Sequence, residues 1–72
     1  MDFSTALNIV KEGGRVRRPL WRETEGKIGS FLELMDVPRL GEVLVCQMPD
    51  GSWHLWTCSQ WDILADDWEE VS

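Results

Sequence analysis

The sequence has no Tyr, a single His and only two Cys, and no apolar run near the roughly 20 residues that cross a bilayer. Each shortage excludes something. With His54 alone, no two-histidine metal motif can be written, and Cys46 and Cys58 do not have zinc-site spacing. Two lone thiols fit a reducing, cytosolic setting. As a catalytic base, His54 would need an orienting partner that the sequence does not offer, so a packed or interfacial histidine is the better reading. Asp62, Asp66 and Asp67 crowd one turn without calcium-loop spacing, which leaves a helix cap and a solvated acidic turn. Gly13-Gly14 sits at a helix end rather than after a strand, where a C-cap explains it better than a phosphate loop. The expectation is therefore a protein that is not an enzyme, with no catalytic set, metal or cofactor. Met1 is followed by Asp2 and an amphipathic stretch, not by the basic-then-apolar pattern of a signal peptide.

What is present is tryptophan: 5 in 72 residues. A chain of this length holds one domain, residues 1–72, and buries only about 60% of its unfolded surface. Five indoles are hard to hide in so small a core, and Trp is frequent at interfaces and binding pockets. Some of the five are thus expected at a subunit contact or a ligand site. The net charge of −6 speaks against unspecific nucleic-acid binding. The charge is uneven, however. Lys11, Arg15, Arg17, Arg18 and Arg22 cluster early, while Asp62, Asp66, Asp67, Glu69 and Glu70 cluster at the end. The basic cluster could meet a small anion, or pair with the acidic tail within one subunit or between two.

Phe3, Ala6, Leu7, Ile9 and Val10 recur at helical spacing, with Ser4 as a plausible N-cap and Gly13-Gly14 as the stop, predicting a helix over 5–12. Arg15 to Arg18 form a short strand candidate that Pro19 ends or pushes to an edge. A turn is expected over 23–27, and strands over 28–37, 42–48 and 52–58. Asp50-Gly51 between two β-rich runs predicts a hairpin. Ser59 and Asp62 resemble a capping box opening a short helix over 60–65, and a last strand follows from Trp68 to Val71. With Asp50-Gly51 as a two-residue loop, Leu44, Cys46, Met48, Trp53, Leu55 and Thr57 share a core face. Val43, Val45, Gln47, His54, Trp56 and Cys58 then share the other face, which is too apolar to stay wet, and this argues for self-association. The two thiols fall on opposite faces and should stay unpaired. The fold class is α+β: an N-terminal helix packed on a small antiparallel sheet of 4–5 strands, with a short helix before the last strand.

The one chemically suggestive grouping is Trp21 beside Arg17, Arg18 and Arg22. Indole faces stack on purines and guanidinium groups bind phosphates, which suits a nucleotide; the same residues suit a protein hot spot. Several segments also carry a family likeness. Met1-Asp2-Phe3-Ser4-Thr5-Ala6-Leu7 opens the chain, Val16-Arg17-Arg18-Pro19-Leu20-Trp21 follows the glycine stop, and Asp50-Gly51 and Trp56 precede Ser59-Gln60-Trp61-Asp62-Ile63-Leu64-Ala65-Asp66-Asp67-Trp68. In these the chain resembles the Thoeris anti-defense two-like domain, found mostly in phages, over about residues 1–22 and 43–71. Leu20 stands where that family usually has Gly, Pro19 precedes it, and the middle, 23–42, is shorter than in many members.

The resemblance implies an anti-defence oligomer acting in the cytoplasm of a host cell, and a homodimer or tetramer is the default expectation by symmetry. It would sequester a cyclic ADP-ribose-type signal without degrading it, in a pocket between subunits. Carried over, Phe3, Arg18, Trp21 and Trp56 are the candidate ligand-binding residues. Trp21 and Trp56 would stack on bases or ribose, and Arg18 would meet the pyrophosphate. Ser59, Asp62, Leu64, Ala65 and Trp68 match the signature but are better read as cap and core. The alternative is a small acidic protein that binds and inhibits or redirects a host protein.

Overall fold

The computed structural model describes residues 1–22 and 29–71. It consists of helix α1 (Phe3–Lys11), strand β1 (Val16–Arg17), a 3-10 turn (Pro19–Trp21), strands β2 (Phe31–Val37), β3 (Gly41–Gln47) and β4 (Trp53–Leu55), helix α2 (Gln60–Ile63) and strand β5 (Glu69–Glu70). The strands form one sheet in the order β4-β3-β2-β1-β5, with every pairing antiparallel. The fold is thus α+β as the sequence predicts, with a short helix before the last strand. The turn expected over 23–27, and the start of the expected strand at Ile28, lie outside the described residues.

Helix α1 begins earlier than Ser4 would set it. Asp2 is the N-cap, its carboxylate accepting from the Thr5 N–H at 2.9 Å. Both residue types cap well; Asp2 takes the role because the helix must include Phe3 to bring that ring onto the core. The other end follows the glycine signal. Gly13, at φ +96°, donates to the Val10 carbonyl and Gly14 donates to that of Ile9, at 3.0 and 2.9 Å, which closes the last turn in a Schellman motif. The helix lays Ala6 and Val10 against Val16, Leu32, Cys46 and Trp68, and these six form the buried cluster.

The β3–β4 hairpin corrects the predicted register. Cys46 pairs with His54 and Val45 with Leu55, one residue away from the predicted pairing. The cause is Pro49. Its ring favours the second position of a type I turn, so Met48 to Gly51 form that turn, closed by Gly51 N–H to the Met48 carbonyl at 3.0 Å. Gly51 follows at φ +89°, and the loop has three residues instead of two. Every side chain of β4 is therefore flipped. Trp56 turns to the core side with Leu44, Cys46 and Met48, while Trp53 and Leu55 turn outward and are 45% and 47% exposed. His54 is exposed, not packed. The outer face now carries Val43, Trp53 and Leu55 alongside Phe31 and Met35 of β2, around the buried Val45 and a Gln47–Glu33 hydrogen bond, so it stays largely apolar with different members. Both cysteines are free, Cys46 buried and Cys58 exposed.

The chain ends are stitched together. The Trp68 N–H donates to the Met1 carbonyl and the Met1 ammonium donates to the Trp68 carbonyl, both at 3.0 Å, and the Val71 N–H donates to the Arg15 carbonyl at 2.8 Å.

Candidate functional site

Trp68 is the centre of the site. Its indole is 2% exposed and donates from Nε1 to the Asp62 carbonyl at 2.8 Å. This bond supplies the partner that a buried indole needs, and it ties α2 to the core. Three rings gather on Trp68. Phe3, from the first turn of α1, lies 5.3 Å away between centroids; Trp21, from the 3-10 turn, lies 5.4 Å away; Trp56, beyond β4, lies 6.0 Å away. Phe3 also touches Trp56 at 5.6 Å. The Trp21 and Trp56 planes both stand at 89° to Trp68, the edge-on arrangement that ring quadrupoles favour. Phe3, Trp21 and Trp56 stay half-buried, so this chain does not close over them. Three of the four expected ligand residues are therefore one cluster, built by three separate elements around a fourth ring.

Arg18 stands beside that cluster, not within it. Its Nη1 donates to Asp62 at 2.7 Å, and its Nε and Nη2 both reach Asp67. These contacts hold the Asp67 carboxyl below its usual range and push the guanidinium pKa up, its hydrogen bond to Asp67 being the main cause. Next to it, Glu69 takes Arg22 in two hydrogen bonds and Arg17 in a third. Those two guanidinium groups, Arg22 first, hold the Glu69 carboxyl down at about 2. Arg17, Arg18 and Arg22 of the basic cluster thus pair with Asp62, Asp67 and Glu69 of the acidic tail inside one chain. Antiparallel β1–β5 pairing sets Arg17 opposite Glu69, and Pro19 then bends the chain so that Arg18 and Arg22 reach the same tail.

Helix α2 differs from expectation on one side. Ser59 caps it, its hydroxyl accepting from the Asp62 N–H and donating to the Asp62 carboxylate. Ala65 and Trp68 face the core, but Leu64, expected to do so, is 78% exposed, and Trp61 is 82% exposed. The helix ends at Ile63, so the apolar spacing that runs from Trp61 to Trp68 crosses a helix end, and its first members point to solvent. Trp61 and Leu64, with Gln60, Ala65, Asp66, Asp67 and Arg18, line an open recess of about 480 Å³. Sequence reasoning passed over Trp61 as a site residue. Its signal was an indole placed three residues from a leucine on a helix too short to turn both inward.

The fold and the site define a small α+β domain that presents aromatic side chains around one buried indole, braced by ion pairs. Among the described residues no His, Cys, Asp or Glu group could hold a metal ion, and no helix is long and apolar enough to cross a membrane. The family model of the Thoeris anti-defense 2-like domain matches residues 1–71, and the chain belongs to that family. A similar protein, Thoeris anti-defense 2 of Bacillus phage SP01, is 31% identical over 85 aligned residues, which cover all of this chain and 96% of the relative.

Proposed function

We propose that this protein serves an anti-defence role by sequestering a small cyclic nucleotide signal of the cyclic ADP-ribose type, releasing it unchanged. The observation that carries the reading is the convergence of Phe3, Trp21 and Trp56 on Trp68, half-buried, in a chain of the anti-defense family. Half-covered indoles on a rigid ring offer stacking surface for a base or ribose, at about 1–3 kcal/mol per stacked base. Self-association, as a homodimer or tetramer, is part of the proposal: the apolar outer face with Trp53 and Leu55 would be covered and the half-open cluster completed by a second copy.

Arg18 takes an altered part in this reading. A pyrophosphate at its guanidinium would compete with Asp62 and Asp67, which occupy three of its five N–H donors. Arg18 is better cast as the strut that holds the turn carrying Trp21 against α2, with the pyrophosphate met by donors of a second copy. Trp21→Ala and Trp56→Ala should each weaken binding of a cyclic ADP-ribose isomer by tenfold or more, about 1.4 kcal/mol, with the circular dichroism of the fold retained. Unchanged affinity in both variants would refute the assignment. The second reading, capture of a host protein, is favoured by one observation, the exposed apolar and acidic recess over α2.

A further inference from the structure

We propose that the recess over α2 is a docking site for a basic segment of a partner protein, which lays an arginine side chain on Trp61 between Asp66 and Asp67. This inference is independent of the sequestration reading and does not involve its stacking rings, Phe3, Trp21 and Trp56. The recess of about 480 Å³ is large enough for a guanidinium and the apolar stem that carries it. Its apolar wall is Trp61 and Leu64, which touch no core and are left mostly in water. Two large apolar side chains left in water, one on α2 and one at its C-cap, mark a contact surface more than a stability device.

The charge selects the occupant. Asp62, Asp66 and Asp67 are set against one guanidinium, that of Arg18, which Asp62 and Asp67 already engage. Asp66 is exposed, and among the described residues it makes no ion pair. An anion entering here would meet uncompensated negative charge, in a chain whose net charge is −6. A cation would meet carboxylates and an indole face together. Arginine fits better than lysine, because its planar fork can bind a carboxylate in two places while its face stacks on a ring. Cation–π contact at a partly exposed indole adds about 0.5–1 kcal/mol.

The test uses the full-length protein and a capped tetra-arginine peptide, with a capped tetra-citrulline peptide of nearly the same shape and no charge as control. The indole N–H signals are followed by NMR during titration. The expected result is a saturable shift centred on the Trp61 signal with the arginine peptide and none with the citrulline peptide. Trp61→Ala and Asp66→Asn, with affinities read by calorimetry, should each weaken the arginine peptide by about two- to fivefold. Glu42→Gln, a carboxylate on β3 outside the recess, should leave affinity unchanged. Equal losses in all three variants, or shifts spread over every acidic surface with no preference for Trp61, would overturn the proposal. So would a particle mass that falls by half or more on Arg39→Glu while the Trp61 signal moves in step, because the occupant would then be the exposed arginine turn of a second copy. A loss of cyclic nucleotide binding in the Trp21 and Trp56 variants has no bearing on this result, so the two readings fail separately.

Discussion

Replacing Trp68 by Phe keeps an aromatic ring in the core and removes two specific things, the indole N–H and its second ring. The hydrogen bond to the Asp62 carbonyl is 2.8 Å long and part-buried. Its net contribution is about 1 kcal/mol, and the carbonyl keeps contacts from the Leu64 N–H and, at 3.3 Å, from the Ala65 N–H. The missing ring leaves a void among Phe3, Trp21 and Trp56, each within 6.0 Å of Trp68. Large-to-small changes of that order in a core cost about 1–2 kcal/mol. Together Trp68→Phe should lower stability by about 2–3 kcal/mol, against a total of about 4–11 kcal/mol for a domain of this length. Urea unfolding followed by far-ultraviolet circular dichroism would read the change as a lower midpoint, and a thermal scan as a drop of roughly 10–20 °C. A loss below about 0.5 kcal/mol, within the range of ordinary surface substitutions, would refute the placement of Trp68 as the ring on which the others rest.

Other outcomes follow from the same geometry. In Gly14→Ala the new Cβ would lie 2.6 Å from Ile9 Cγ2 and 3.0 Å from the Ile9 carbonyl oxygen, so the Schellman turn must open; a loss of about 1–3 kcal/mol by urea unfolding is expected. The Glu69 carboxyl titrates near 2 instead of 4.5, so the stability it lends is complete above the unfolded value and lost as pH falls toward 2. The melting temperatures of the native protein and of Glu69→Gln should therefore differ at neutral pH and converge at pH 2; a gap that widens in acid would contradict the ion-pair assignment. A thiol reagent should label exposed Cys58 in the native protein and reach Cys46, which is buried and has its thiol pKa raised by that burial, only on unfolding.

The parts of the fold legible in the sequence were those with a local cause. Gly13-Gly14 ended α1 because only a glycine accepts the left-handed conformation there easily, and Ser59 opened α2 because its hydroxyl meets the Asp62 N–H. The uneven charge raised the pairing of the two blocks as one of two readings, and it holds for Arg17, Arg18 and Arg22 with Asp62, Asp67 and Glu69. The hairpin register was misread because Asp-Gly alone suggests a two-residue loop. Pro49 was the countersignal: Asp50 keeps a negative φ, which a type I′ turn would not allow. Leu64 was misread because helical spacing was carried past the end of a four-residue helix. Of the candidate site, Trp21 stood out beside its arginines and Phe3 and Trp56 came from family likeness, and no local pattern could have placed the three around one ring. That arrangement depends on the chain-end stitching at Trp68 and Met1, a contact between residues 67 positions apart.

The central claim is sequestration. Calorimetric titration of the purified protein with cyclic ADP-ribose isomers, with its mass recorded by light scattering and the ligand recovered afterwards, tests it most directly. The account predicts saturable binding by a dimer or tetramer and recovery of the ligand chemically intact. No binding across the isomers, or a ligand recovered as a hydrolysed product, would contradict it.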